Sequence, residues 1–239
     1  MKLKLLKKTE IAKDTMSFEF LPEKKKAWLP GQYFYLTLEN MKAKDSKGPT
    51  RDFTIASSPT EEPNLLFAAR IRDKSNFKQA LKNLPEGTEI EGEGPNGSFI
   101  LDENEKKHHV MIAGGIGITP LRSIIKYHTD KSTDTKLTLI YSNSSPKGIA
   151  FKTNLELWQK QNKNFKLHMT ITKPIGLSQN WSGLKGRIDE KMIRALVPEL
   201  QNATYWLCGP PGMVNAMEDL LETLKIPLKK TRVEKFSGY

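Results

Sequence analysis

The run Arg51-Asp52-Phe53-Thr54 brings a planar cation, a flat apolar ring and a hydroxyl together within four residues. A guanidinium can pair with a pyrophosphate through two parallel hydrogen bonds. A phenyl ring lies well against a heteroaromatic plane, and a threonine hydroxyl can serve a ring nitrogen as donor or acceptor. A flavin offers all of these partners in one molecule. Side chains alternate between the faces of a strand, so Arg51 and Phe53 share a face. Thr54 then reaches a ring only through a twist at the strand end or through its backbone. By itself the run equally fits a plain strand with a salt bridge at its edge, and its company must decide.

Two more segments suit phosphate and ring chemistry. In Ala113-Gly114-Gly115-Ile116-Gly117-Ile118-Thr119-Pro120, glycines stand between an apolar run and a helical pattern. Glycine lets backbone come close to a ligand, and N–H groups at a helix start present partial positive charge to phosphate. Pro120 gives up an N–H that the first helical turn does not use. It also holds the third glycine's place in G-x-G-x-x-G, so the loop departs from that fingerprint, and a tight turn without a ligand reads the same way. Cys208-Gly209-Pro210-Pro211-Gly212 follows a later strand pattern, where open α/β sheets bind ligands. The two prolines force an abrupt exit and leave Cys208 at the strand tip. A lone cysteine is commonly buried and inert, and with no histidine beside it thiol catalysis is not expected.

The elements that must position these groups fall into two kinds. Residues 1–103 read as short strands at Lys2–Leu6, Ser17–Phe20, Gln32–Leu38, Asp52–Ala56, Leu65–Ile71 and Thr88–Glu91. Turn chemistry at Pro30-Gly31, Lys47-Gly48-Pro49, Glu86-Gly87 and Pro95-Asn96-Gly97 separates or bounds them. One helix, Asn76–Leu84, interrupts, with Phe77, Ala80, Leu81 and Leu84 on one face. This predicts a small antiparallel β-barrel. Residues 107–239 instead alternate strand and helix. Strands are expected at His109–Ala113, Leu137–Tyr141, Phe165–Ile171 and Thr204–Cys208, and helices at Pro120–His128, Phe151–Gln161, Asp189–Leu196 and from Pro211 onward. That alternation predicts a doubly wound parallel sheet with helices on both faces. The polar run Asp102–Lys107 marks the boundary between two domains.

At 239 residues and 37% hydrophobic, the chain is long and apolar enough for one large or two ordinary domains. Its single cysteine excludes internal disulfides and any cysteine-held iron–sulfur cluster. No Cys/His spacing fits a zinc site, and His108 and His109 are placed at a strand start. The N-terminus lacks a signal peptide's apolar region, and no apolar run approaches the ~18–20 residues that span a bilayer, so a cytoplasmic protein without membrane insertion is expected. The net charge of +11 sits on scattered lysines. It fits a solvated surface, or an acidic protein partner drawn in by electrostatic steering. Nucleic acid is not expected, because no RNP-like, helix-turn-helix or zinc-finger pattern accompanies the charge.

Taken in order, Arg51-Asp52-Phe53-Thr54, Arg72-Asp73-Lys74-Ser75-Asn76-Phe77, Gly94-Pro95-Asn96-Gly97, Gly114–Pro120, Cys208-Gly209-Pro210-Pro211 and the ending Glu234–Tyr239 resemble the motifs of the ferredoxin–NADP reductase superfamily. The resemblance covers nearly the whole chain. It implies an N-terminal antiparallel Greek-key β-barrel that binds FAD, rather than FMN, and a C-terminal α/β domain that binds NADPH or NADH. Arg51, Arg72, Ser75 and Asn76 would hold the flavin pyrophosphate, with Asp52 in the same motif; Phe53 would flank the isoalloxazine and Thr54 would tune the nitrogen that accepts hydride. Gly114, Gly115, Gly117, Thr119 and Pro120 would cradle the nicotinamide nucleotide, together with Cys208, Gly209 and Pro210. Cys208 would lie near the hydride-donating carbon, Glu234 in the same pocket, and Phe236 or Tyr239 over the ring. For these two aromatics, a C-terminal strand docked into the core is the plainer alternative.

Unlike some members of that family, the chain carries neither an iron–sulfur domain nor a globin, so a separate electron acceptor is expected. An acidic carrier such as ferredoxin or flavodoxin suits the lysine excess; ferric chelates, free flavin or a quinone would suit a small-acceptor enzyme, and an electron-transfer subunit of a larger complex is a third reading. Ser142–Lys147, where relatives read the adenosine ribose, has neither the acid expected for NADH nor the arginine expected for NADPH. Lys147, with Lys173 beyond it, tilts the choice slightly to NADPH.

Overall fold

The computed structural model describes residues 1–39, 41, 45, 47–102, 105, 107–174 and 181–236. The chain divides into two compact units, 1–101 with 119–127, and 102–118 with 128–239.

The first unit is built on β1 (Lys2–Ala12), β2 (Thr15–Pro22), β3 (Tyr33–Thr37), β4 (Thr50–Thr54), β5 (Leu65–Arg70) and β6 (Glu89–Asn96), with α1 (Asn76–Asn83) after β5. The strands form one antiparallel sheet in the order β4-β3-β6-β1-β2-β5. The sheet is barrel-like but not closed. Its end strands share no ladder, and beyond them the Ala56 N–H donates to the Leu66 carbonyl at 2.7 Å. Strict alternation turns Leu3, Leu5, Phe18, Phe20, Phe34, Leu36 and Phe67 inward, each with no exposed surface.

β1 and β6 run furthest past the ends the sequence predicts. β1 continues through Lys7-Lys8-Thr9-Glu10 because a bulge between Leu5 and Lys7 keeps it paired to β2 without an apolar face. β6 continues through Pro95, expected in a turn, because the β3–β6 register slips between Tyr33 and Tyr35 and asks no ladder hydrogen bond of the proline.

The helix α2 (Ile118–Asp130) supplies residues 119–127 to this unit. There Arg122, 4% exposed, grips Glu61 with both guanidinium nitrogens at 2.8 and 3.0 Å and donates to the Ala56 carbonyl at 2.6 Å. Ser123 donates to the Ser57 carbonyl at 2.6 Å, and the Glu61 carboxylate also accepts from the Ser58 N–H at 2.8 Å. The turn that follows β4 is therefore clamped at three successive residues, Ala56 to Ser58, and again at Glu61.

The second unit contains β7 (His108–Gly114), β8 (Lys136–Asn143), α3 (Lys152–Gln161), β9 (Phe165–Ile171), β10 (Leu184–Lys185), α4 (Glu190–Leu196), β11 (Ala203–Gly209), α5 (Pro211–Thr223) and β12 (Thr231–Lys235). All pairings are parallel, in the order β10-β9-β8-β7-β11-β12. The winding leaves β7 in one direction through β8 and β9 and resumes on its other side with β11. The switch point thus falls between β7 and β11, at whose carboxyl ends such sheets take ligands. No helix among the described residues is long and apolar enough to cross a membrane.

Burial sets a pH dependence in this unit. The Trp206 indole N–H donates to Nδ1 of His109 at 3.1 Å, in a site where His109 has no exposed surface. The ring must be neutral to accept that bond, and burial pushes its pKa down; burial also lowers those of His108 and His168. The unfolded chain therefore takes up protons first as pH falls below about 6.5. Stability is expected to be level above neutrality and to decline from there toward each lowered folded pKa. Thermal unfolding at descending pH should show that decline, and His109→Gln should flatten it; an unaltered slope in the variant would place the effect elsewhere.

Candidate functional site

In the first unit Arg51 and Phe53 do share a face, and α1 lies against it. The Arg51 guanidinium sits over the Phe77 ring, 5.3 Å from its centroid. One of its nitrogens donates to the carbonyls of Lys47, Gly48 and Thr50 at 2.8, 3.0 and 2.6 Å, and the other is paired with the Asp45 carboxylate. The second Asp45 oxygen accepts from the Phe77 N–H at 2.9 Å. The N–H of Phe77, then that of Lys47, and the Arg51 charge hold the Asp45 carboxyl below its usual range.

Ser75 caps α1, its hydroxyl oxygen accepting from the Lys78 N–H at 3.3 Å, and Asn76 opens the helix with an exposed side chain. Arg72 is exposed in the turn just before. Around this helix start the Lys78 ammonium is pushed down, first by burial and then by the charges of Arg72, Lys47 and Arg51. Convergent cations at a helix N-terminus, already gripping one carboxylate, fit the pyrophosphate of FAD. The sequence marks Lys47 only as part of a turn and gives Lys78 no place in the site. Only the position of Lys78 three residues after a serine cap signalled a place on the first turn.

Phe53 has a different setting from the flanking position the motif implies. It is 7% exposed, stacked on Phe77 at 5.9 Å and edge-on to Phe67 at 6.4 Å, because the face it shares with Arg51 turns into the aromatic core. Thr54 and Asp52 lie on the opposite face, paired across the ladder with Tyr33 and Tyr35. Thr54 is nearly buried and Asp52 exposed.

In the second unit the glycine loop and the proline turn meet at the switch point. A methyl group on Gly117 would lie 2.6 Å from Cα of Gly209, and one on Gly114 would press on Met213 and lie 3.1 Å from Cδ of Pro210. Gly115 is different: with φ of +53° it sits where other residues are strained, and open space surrounds the position of its absent side chain. The Tyr141 hydroxyl donates to the Gly115 carbonyl at 2.8 Å and steadies this bend. Thr119 and Pro120, in the first turn of α2, are buried.

Cys208 and Glu234 stand side by side in the register of β11 and β12. Burial, and then the Glu234 carboxylate, push the Cys208 thiol well above its usual range, so it is a neutral S–H. The Phe236 N–H donates to the Gly209 carbonyl at 3.0 Å, which carries the pairing with β11 one residue beyond β12; Tyr239 lies outside the described residues. At the end of β8 the side-chain nitrogen of Asn143 is buried with no hydrogen-bond partner among the described residues. The loops after β8 and β9 are joined by the Lys173 N–H to the Ser144 carbonyl at 3.3 Å, and both Lys147 and Lys173 are exposed. An open glycine bend beside an orphaned amide donor fits a nicotinamide nucleotide.

Two family models cover the chain in turn: an oxidoreductase FAD-binding domain over residues 2–101 and an oxidoreductase NAD-binding domain over residues 111–219. NADH-cytochrome b5 reductase 1 of Cryptococcus neoformans is 30% identical over 95% of this chain and 80% of its own. The chain belongs to the ferredoxin–NADP reductase superfamily. The superfamily fold also appears in a Neisseria gonorrhoeae ferredoxin NADP+ reductase solved with bound FAD and NADP, with a TM-score of 0.81 at 19% identity over 98% of both chains. The glycine betaine monooxygenase reductase subunit of Chromohalobacter salexigens is 26% identical over 87% of this chain but 56% of its own. The chain spans about half the length of the curated reductase subunits of that kind.

Proposed function

We propose that this superfamily member is an NAD(P)H-dependent flavoprotein reductase that passes electrons to a separate carrier, with residues 1–103 as its FAD domain and 107–239 as its nucleotide domain. The observation that carries the reading is the Arg51 guanidinium held over Phe77 at the start of α1, bonded to the Lys47 carbonyl, with Arg72 in the turn just before and Lys78 on the first helical turn, in the segment matched by the FAD-binding model. Bound FAD would accept a hydride from the reduced nicotinamide and release its electrons one at a time.

The protein's own part is placement. Arg51, Arg72, Ser75, Asn76 and Lys78 hold the pyrophosphate, Asp52 keeps to the far face of the strand, and Phe53 backs the site from the core. Thr54 presents its hydroxyl or backbone to the flavin ring. Gly114, Gly115, Gly117, Thr119 and Pro120 receive the nucleotide along with Gly209 and Pro210, and Asn143 donates to it. Cys208 offers the nicotinamide a neutral, uncharged wall, which Glu234 helps keep protonated; Phe236 covers the flavin ring. Without a carboxylate in the Ser142–Lys147 loop, a 2′-phosphate meets no repulsion and Lys147 and Lys173 favour it, so NADPH is preferred over NADH.

The acceptor is an acidic electron-carrier protein of ferredoxin or flavodoxin type, supported by the charge of +11. Membership of a larger assembly is a second reading, supported by relatives named as reductase subunits. Removal of a charged phosphate partner predicts that Arg51→Ala weakens FAD binding roughly ten- to a hundredfold. Flavin fluorescence titration of the apoprotein measures this. A variant that binds FAD as the parent does would remove Arg51 from the site.

A further inference from the structure

The groups proposed to hold the flavin pyrophosphate already grip an anion that belongs to the chain itself. One oxygen of Asp45 pairs with Arg51 and accepts from the Lys47 N–H at 3.0 Å; the other accepts from the Phe77 N–H at 2.9 Å. The carboxylate side chain is 7% exposed and that of Arg51 17%. Arg51's other terminal nitrogen is spent on backbone carbonyls. The guanidinium edge and the helix N–H best placed for a phosphate are thus the two donors that Asp45 occupies. With Arg72, Lys47 and Lys78 close by, the carboxylate offsets part of a dense positive charge.

We infer that Asp45 is a built-in counter-anion that a phosphate-bearing flavin displaces, so that it weakens FAD and FMN binding and leaves riboflavin binding untouched. The inference rests on the proposed FAD site. Its physical basis is competition: two anions cannot share the same guanidinium edge and N–H at full strength, and two carboxylate and phosphate charges a few ångströms apart repel. The same pairing holds Arg51 in place over Phe77.

Asp45→Asn keeps the shape and an acceptor for the Phe77 N–H but removes the charge. FAD and FMN dissociation constants, measured by fluorescence quenching on apoprotein, are expected to fall by about tenfold, with that of riboflavin unchanged. Asp45→Ser gives the same readout should the asparagine variant misfold. Weaker or unchanged FAD binding in the folded variant, or equal tightening of riboflavin, overturns the inference. A parent protein that binds none of the three flavins refutes the proposed function instead, which keeps the two failures distinct.

Discussion

Glu61→Gln is expected to cost about 2 kcal/mol of stability, between the losses typical of surface and of buried ion pairs, because the Glu61 side chain is 28% exposed. Arg122 is 4% exposed, and Glu61 supplies both oxygens of its two-pronged contact. Glutamine keeps an oxygen for one of those bonds and for the Ser58 N–H, so the turn keeps its shape. The guanidinium charge, however, is left in the interior without its carboxylate. The exposed pair Arg194–Glu190 provides the contrast, both side chains being about half exposed. Glu190→Gln should cost no more than about 0.5 kcal/mol, as surface pairs do. Urea unfolding with unchanged m-values measures both; equal losses in the two variants would mean that burial of Arg122 contributes nothing special. The Glu61 clamp holds the turn directly after Thr54, so the same variant should also loosen FAD.

Gly117→Ala is the second large effect. The added methyl would lie 2.5 Å from the Cys208 carbonyl carbon and 2.6 Å from the Gly209 Cα. Both are backbone atoms and cannot rotate aside, so the ends of β7 and β11 must part. Overpacking of this kind costs about 1–3 kcal/mol, and the parted loops should bind NADP+ and NAD+ far less well while FAD binding is kept. Gly212→Ala is the control, since open space surrounds that position in the first turn of α5. Alanine there should be neutral or slightly stabilising. Isothermal titration of both variants with the oxidised nucleotides tests the contrast. Equal nucleotide affinity in the two would show that the close approach at Gly117 does not shape the site.

What could be read from the sequence follows from how each element is buried. β7 is an apolar run through Val110–Ala113, β9 alternates Phe165, Leu167, Met169 and Ile171 with polar residues, and α5 shows its stripe of Val214, Met217 and Leu221 after Pro211, so the sequence places these within a residue or two. β12 was not placed as an element, because Thr231-Arg232-Val233-Glu234-Lys235 is held at a sheet edge by its backbone and has no apolar alternation. β10, two residues long, left no signal at all. In the site, alternation correctly put Arg51 and Phe53 on one face, but it could not show that the face turns Phe53 into the core. The Arg122–Glu61 pair lies 61 residues apart and the orphaned amide of Asn143 depends on tertiary burial, so neither had a local signature. The glycines of the loop were singled out for ligand approach. Gly117 is glycine for a different reason, the backbone of Cys208 and Gly209 packed against it.

An anaerobic titration tests the central claim most directly. Apoprotein reconstituted with FAD would be mixed with one equivalent of NADPH, and in parallel NADH, while the flavin absorbance is followed. The account predicts stoichiometric FAD uptake and prompt bleaching by NADPH, with a weaker response to NADH. Failure to retain FAD, or a bound flavin that neither nucleotide bleaches, would contradict it.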